Sequence, residues 1–440
     1  MIKIESAAYL KGTLRLGGDK SISHRAIILS SLTNQRVRIK NYYPSRDCLT
    51  TIRAMRSLGA KIVWRASNQL DIFGVGLKGC VFPRQLFLGD SGTTYRLLTG
   101  LLAGQNNHII LRAGKSLSRR PMKRIVGPLT NMGARIHAVS RAKNDEVYPP
   151  LEVLPGKLKA ITYKLPVASA QVKSAILLAA LNTKGETRII EEEKSRDHTE
   201  RMLSLFKVKI SLKQNSISLK GPVRQLIAPK QIVIPADFSS AAFFIVGALL
   251  LKGSKLAIKK TSINPTRTGL LKVLKRMGAN IQIRHIGKTQ WPNEPKADII
   301  VRYSELKATE VSKSEIPCLI DEVPILMVAA SLAKGTTSIK GVGELRVKET
   351  DRINSMRYNL RNMGVPVRIK KSGTREDILV EGVNKLKPGK LRSFSDHRTA
   401  MATVIAAVCA QGDSLIDDVE CISKSFPNFL KTLSSLIHKF

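Results

Sequence analysis

One phrase recurs along this chain, and a repeat restricts architecture more tightly than any local propensity. The phrase is a helix-like stretch closed by an apolar residue and usually glycine, followed by a short apolar strand. It occupies residues 55–62 (MRSLGAKI), 129–136 (LTNMGARI), 203–210 (LSLFKVKI), 274–281 (LKRMGANI) and 360–367 (LRNMGVPV). Gly59, Gly133, Lys207, Gly278 and Gly364 hold the equivalent position, at separations of 74, 74, 71 and 86 residues. Residues 429–440 fit a sixth, truncated copy.

A second phrase falls between copies of the first: an Ala/Leu-rich helix starting near Ser21, Ser91, Ser169, Asp237, Asp321 and Asp396 and stopping near Asn34, Gly104, Gly185, Gly253, Gly335 and Gly412. Ser or Asp is the expected N-cap and Gly the expected stop. Strand-like segments such as 61–64 (KIVW) and 299–301 (IIV) separate the helices. Six copies of a two-helix α/β unit follow. Two groups of three make two domains, 19–235 and 1–18 plus 236–440, with the seam at Pro235-Ala236-Asp237. The N-terminal strand, Ile2 to Leu16, then crosses back to the second domain, which leaves a double hinge near 17–20 and 235–237. A single doubly wound sheet would explain the alternation of helix and strand but not the period.

The 440 residues include 73 Lys and Arg against 33 Asp and Glu, a net charge of +40 that favours anionic ligands of every kind. Nucleic acid is one such ligand. However, the basic residues run from Lys3 to Lys439 without a basic tail, and aromatics make up only 5%, few for stacking on bases; nucleic acid is not the expected partner. The longest apolar run, Ala241 to Leu251, is 11 residues, short of the ~20 of a membrane helix, and Met1 to Glu5 lacks the start of a secretory leader. A cytoplasmic protein with no membrane span is expected. Cys48, Cys80, Cys318, Cys409 and Cys421 are far apart without metal-ligand spacing, so reduced thiols and no metal are expected.

Candidate binding residues gather where helices begin. Helix N-termini carry partial positive charge and unpaired N–H groups, so several facing one cleft would trap an anion. Residues 17–25 (GGDKSISHR) place Lys20, Ser21 and Arg25 at the first such start, which suits phosphate or carboxylate. A capped helix with a solvated basic turn has the same pattern, and His24 reads as a capping or packing histidine. In 89–96 (GDSGTTYR), Gly92 allows a ligand close to the backbone, or serves a tight turn. Residues 112–124 (RAGKSLSRRPMKR) surround Pro121, a first-turn helix residue on this reading, with basic side chains. Ser169, Ala170 and Gln171 open a helix with no acidic group, fit for neutral hydrogen bonding or plain capping, and Ser195 opens a similar stretch. The second half adds carboxylates beside cations: Asp321-Glu322, then 348–352 (KETDR), then Asp396-His397-Arg398. General acid–base chemistry needs ionisable groups so placed; ion pairs at exposed helix ends would look alike.

Taken in order, Lys20-Ser21 with Arg25, 89–96, 118–122 (SRRPM), 345–352 (LRVKETDR) and 396–401 (DHRTAM) resemble the motifs of the EPSP synthase family of enolpyruvyl transferases. Residues 169–175 (SAQVKSA), 264–267 (NPTR), 320–322 (IDE) and 425–427 (SFP) extend the resemblance over essentially the whole chain. It implies an α/β fold of two inside-out α/β barrel domains, three repeated units in each, that close on substrate. It also implies transfer of the enolpyruvyl group of phosphoenolpyruvate to the 5-hydroxyl of shikimate 3-phosphate, with loss of inorganic phosphate, by a monomer that needs neither metal nor cofactor. By this resemblance Lys20, Ser21, Arg25, Ser169, Ala170, Gln171, Ser195, Asp321 and Lys348 would hold shikimate 3-phosphate. Lys20, Gly92, Arg120, Gln171, Arg352, Arg398 and Lys424 would hold phosphoenolpyruvate. Asp321 would be the base for the 5-hydroxyl, and Glu349 with Lys20 would protonate the methylene carbon. The substrates together bring roughly six negative charges, which could not be buried without such cations.

Three departures from the family pattern bear on affinity. Asp90 stands where the family usually has Asn, Ser45-Arg46-Asp47 replaces Ser-Asp-Asp, and Ala113-Gly114-Lys115-Ser116 lacks the usual Gly-Asp start. The related transferases that act on UDP-N-acetylglucosamine typically carry a reactive Cys in that loop, and residues 113–120 contain none.

Overall fold

The computed structural model describes residues 1–139, 146–287, 291–373 and 375–439. Contacts divide the chain into two compact units: one holds Gly17–Ile234 with residues 291–294, the other Met1–Leu16 with residues 235–287 and 295–439.

Each unit is built on three helices that are apolar nearly all round, and a helix of that kind must be enclosed by protein. In the N-terminal unit these are Lys20–Ser31, Gly92–Ala103 and Ala170–Ala180. In the C-terminal unit they are Phe238–Leu250, Val323–Ser331 and His397–Val408, the last two buried at every residue. Amphipathic helices alternate with them. Gly269–Arg276, for example, buries Leu270, Leu271, Val273 and Leu274 and leaves its lysines outside. The sheets lie against these helices with one face in water, so their strands alternate: Arg375–Glu381 runs exposed, buried, half-buried, buried.

Five sheets share one strand order, and this is the repeat made physical. In the first, Gln231–Val233 lies parallel to Arg36–Lys40, which pairs antiparallel with Gln69–Phe73, itself antiparallel to Lys61–Ala66. The sheets centred on Ile109–Arg112, Gly185–Ile190, Lys255–Ser262 and Thr336–Ile339 have the same order of one parallel and two antiparallel pairings. The recurring glycines are needed for their backbone: Gly59, Gly133, Gly278 and Gly364 have φ of 101°, 94°, 92° and 84°. Lys207, the one non-glycine of the series, takes φ 62°, so the turn is kept at a steric cost.

Several expectations need correcting. Ile2 to Leu16 is two strands. Ile2–Ile4 pairs with Ser414–Ile416 to finish the sixth sheet, and Tyr9–Arg15 supplies the parallel edge beside Lys255–Ser262. The first inner helix is capped by Asp19, whose carboxylate accepts from Ile22 N, and so begins at Lys20 before Ser21. Glu322, not Asp321, holds the N-cap position of Val323–Ser331, without a side-chain capping bond. Pro121 precedes the helix Lys123–Asn131 and Met122 at its N-cap position, and Asp197, not Ser195, holds the N-cap position of His198–Leu205. The sixth copy gives Phe429–Ser434 and Ile437–His438; Phe440 lies outside the described residues. Among the described residues no helix is long and apolar enough to cross a membrane.

Candidate active site

In the N-terminal unit, side chains of the first two turns tie the inner helices together at their N-terminal ends. Arg25 is buried. Its Nη1 donates to the Ser21 carbonyl one turn back (2.9 Å), its Nε to Thr199 Oγ1 (2.6 Å) and its Nη2 to Ser174 Oγ (2.8 Å). Burial pulls its pKa down to about 10, against an opposing pull from Glu200, so it remains a cation at neutral pH. Lys20 Nζ meets Asp47 Oδ2 at 2.9 Å, the acidic residue retained in the altered Ser-Arg-Asp motif. His24 is the packing histidine: its Nδ1 lies 2.6 Å from Thr51 Oγ1, and burial beside Lys20 and Arg25 holds it neutral.

Gly92 begins its helix behind the Ser91 cap, and the absence of a side chain has a visible use. A Cβ there would lie 3.0 Å from Arg120 Nη1 and 3.2 Å from Arg96 Nη1, so two guanidinium groups crowd this bare turn. Arg96 also donates to Gln171 Oε1 (2.6 Å), while Gln171 Nε2 donates to Thr93 Oγ1 (3.1 Å). Gly92, Arg96, Arg120 and Gln171 therefore form one group. Asp90 secures the loop to Arg120 by accepting at Oδ1 from the backbone of Ser116 and Leu117, both at 2.9 Å. The carboxylate that departs from the family pattern is an anchor for that loop. Ser169 caps Ala170–Ala180, and Ser195, buried, donates through both N and Oγ to Glu191 Oε1.

The C-terminal unit interleaves carboxylates and arginines. Arg352 opens the helix Arg352–Asn362, and its three nitrogens reach three acids: Nε to Asp396 Oδ2 (2.9 Å), Nη2 to Glu349 Oε2 (2.6 Å) and Nη1 to Asp321 Oδ1 (3.4 Å). Asp321 Oδ2 is also 3.3 Å from Arg398 Nη2 and 3.8 Å from Arg267 Nη1. Arg352 thus links Glu349 to Asp321, and Asp321 links Arg352 to Arg398. Lys348 is half-buried with its pKa lowered to about 8; burial is the main cause, Arg352 acts in the same direction and Asp321 opposes. Lys424 Nζ lies 3.4 Å from the carbonyl of Ser395, the residue before Asp396.

Residues without a role in the sequence reading complete both groups. Arg96 lay inside the glycine motif, and Arg267 inside Asn264-Pro265-Thr266-Arg267, where an arginine after a turn was the available signal. Glu322 is buried, bonded to Ser239 and 3.4 Å from Arg398 Nη1. Ser174, inside 169–175, and Thr199, the partners of Arg25, had no role in the sequence reading, because a small hydroxyl in a helix is ordinary.

Six repeated α/β units, with guanidinium and ammonium groups at the ends of enclosed helices and carboxylates beside them, make a lining suited to anionic ligands. The model of the EPSP synthase (3-phosphoshikimate 1-carboxyvinyltransferase) family matches residues 4–433. The 3-phosphoshikimate 1-carboxyvinyltransferase of Thermodesulfovibrio yellowstonii is 46% identical over 98% of this chain and 99% of its own, and that of Petrotoga mobilis 43% over 99% of each. The structure of EPSP synthase from Acinetobacter baumannii superimposes with a TM-score of 0.85 at 36% identity, covering 99% of this chain and 98% of that one. The chain belongs to the EPSP synthase family, as an enzyme of the shikimate pathway.

Proposed function

We propose that the residues described in the two units carry the family reaction in this chain. Phosphoenolpyruvate gives its enolpyruvyl group to the 5-hydroxyl of shikimate 3-phosphate, and inorganic phosphate leaves. Ser21, Arg25, Ser169, Ala170, Gln171, Ser195 and Lys348 hold shikimate 3-phosphate. Gly92, Arg120, Gln171, Arg352, Arg398 and Lys424 hold phosphoenolpyruvate, and Lys20 serves both. The observation that carries this reading is the triple engagement of Arg352 by Asp396, Glu349 and Asp321. Internal carboxylates here occupy the hydrogen-bonding edges that substrate anions would take. Arrival of those anions frees Asp321 to accept the 5-hydroxyl proton, while Glu349 with Lys20 delivers a proton to the methylene carbon. The hydroxyl oxygen bonds to the central carbon of phosphoenolpyruvate, giving a tetrahedral phospho-ketal. Loss of a methyl proton and cleavage of the carbon–oxygen bond to phosphate restore the alkene, with the arginines stabilising the departing charge.

The same reading keeps two domains, 19–235 and 1–18 plus 236–440, supported by compact units that divide at Leu16/Gly17 and Ile234/Pro235. It takes the protein as a cytoplasmic monomer, which fractionation and analytical ultracentrifugation test. The deciding experiment is phosphate release with both substrates and with each omitted in turn. Release must need both; release that persists without shikimate 3-phosphate overturns the assignment. Lys20→Ala, Asp321→Ala and Glu349→Ala should each stay folded and lose turnover, and wild-type rates in all three would reject the site.

A further inference from the structure

Behind the candidate ligand residues of the N-terminal unit lies a group of buried charges that the reaction does not use. Lys173 is 1% exposed and its Nζ lies 2.8 Å from Glu191 Oε2 and 2.6 Å from Glu200 Oε1. Three elements meet at this ammonium: the helix Ala170–Ala180 brings Lys173, Glu191 follows the strand Gly185–Ile190, and the helix His198–Leu205 brings Glu200. Glu191 begins a run of three glutamates, and its side chain is 3% exposed while that of Glu192 is 72% exposed.

Ser195 is held by this group at all three of its polar atoms. Its N–H and Oγ donate to Glu191 Oε1 at 3.3 and 2.5 Å, and its carbonyl accepts from Lys173 Nζ at 3.3 Å. Fold stability alone does not call for such a group, because well-packed apolar residues of similar volume commonly do as well as a buried ion pair. Apolar residues could not hold a serine by its amide, hydroxyl and carbonyl together. Arg25 is tied in from the other side: its partners Ser174 and Thr199 follow Lys173 and precede Glu200 in sequence, and their hydroxyls lie 2.6 Å apart. Two cations, Arg25 and Lys173, thus face two anions, Glu191 and Glu200, inside one unit.

We propose that Glu191 and Lys173 are positioning residues for shikimate 3-phosphate, acting through Ser195. The proposal rests on the assignment of Ser195 to that substrate. Glu191 fixes the hydroxyl and amide, Lys173 fixes the carbonyl, and the Lys173–Glu200 pair holds the two helices that carry the partners of Arg25. Neither Glu191 nor Lys173 contacts phosphoenolpyruvate or the reacting atoms on this account, so their loss falls on one substrate.

Glu191→Gln tests it. An amide has one acceptor; directing it at the Lys173 ammonium turns an NH2 group onto Ser195, which cannot accept from it at the amide. Calorimetric affinity and steady-state rates should show shikimate 3-phosphate bound about tenfold more weakly, with the KM for phosphoenolpyruvate changed by less than about twofold. In a Ser195→Ala background the same change should add less than about a further twofold, because the two act as one unit. A folded Glu191→Gln protein with wild-type affinity overturns the proposal, as does full additivity with Ser195→Ala. If Ser195→Ala itself leaves shikimate 3-phosphate binding intact, the ligand assignment fails and the relay with it. A loss in Ser195→Ala without one in Glu191→Gln sinks the relay alone. Should Glu191→Gln not fold, Glu191→Asp keeps the charge beside Lys173 and withdraws the acceptor from Ser195 by one methylene; the same split between substrates is expected, and its absence overturns the proposal.

Discussion

Arg352 Nε stands 2.9 Å from Asp396 Oδ2, with the first side chain 2% exposed and the second fully enclosed. The contact joins two helix starts, since Asp396 Oδ1 also caps His397–Val408 by accepting from the backbone of Arg398 and Thr399. Burial would lower the Arg352 pKa, but Asp396, Glu349 and Asp321 together raise it above its ordinary value.

Arg352→Met should therefore be costly in two separable ways. It leaves Asp396 buried without its cation, and breaking such a pair from one side typically loses about 3–5 kcal/mol. Thermal unfolding should show a clear drop, and protein still folded at low temperature should have lost turnover. Asp396→Asn keeps an acceptor for the cap and should lose less stability. Equal melting temperatures for Arg352→Met and the native chain would contradict this account.

The fold was legible because the repeat is written twice, in the helices and in the turns. Both signals are local: a capped apolar helix, and a glycine where φ must be positive. Lys207 shows the limit, because its φ of 62° follows from equivalence to four glycines and not from its own chemistry. The site was legible where charges stand at helix starts, as at Lys20, Arg352 and Arg398. It was not legible where partners come from distant sequence. Thr199 reaches Arg25 across 174 residues, and Ser239 reaches Glu322 across 83. The first inner helix starts two residues early because Asp19 and not Ser21 caps it, and Val323–Ser331 starts one residue late, after Glu322, whose side chain makes no cap; only the three-dimensional path of the chain decides between such neighbours.

Asp90 should tolerate the residue the family usually has. Asn offers a carbonyl oxygen to the same Ser116 and Leu117 N–H groups, so Asp90→Asn should leave the KM for phosphoenolpyruvate within about threefold. Asp90→Ala removes the oxygen that accepts both bonds and releases the loop that carries Arg120; that KM should rise about tenfold, with kcat less affected. Steady-state kinetics with shikimate 3-phosphate saturating checks both, and equal values for Asn and Ala would show that the anchor is unimportant.

At Gly100 two inner helices pack backbone to backbone. A Cβ there would fall 2.2 Å from the Ala175 carbonyl oxygen and 2.5 Å from its Cα, both backbone atoms that cannot swing aside. Gly100→Ala must therefore separate Gly92–Ala103 from Ala170–Ala180, at about 1–3 kcal/mol of overpacking. The gain in helix propensity, about 1 kcal/mol, is too small to reverse the sign. Denaturant unfolding should show a lowered midpoint, and an unchanged or raised one would mean that the helices part easily.

Lys348 gives a pH dependence in which activity and stability move in opposite directions. Its pKa of about 8 in the folded chain lies below the ordinary 10.5, because burial disfavours the ammonium. Between these values the unfolded chain binds a proton that the native chain does not, so this group's contribution to stability rises with pH there; below about 8 both states are protonated and the penalty is fully present. Binding of anionic shikimate 3-phosphate needs the charged form, so kcat/KM for that substrate should fall as pH rises through about 8. The limb in kcat should lie higher, because bound substrate charge favours the ammonium. Lys348→Arg, which keeps its proton throughout this range, should abolish the limb even if it lowers the plateau. A limb that survives in Lys348→Arg would assign it to another group, and one that coincides with loss of the folded state would remove titration as its cause.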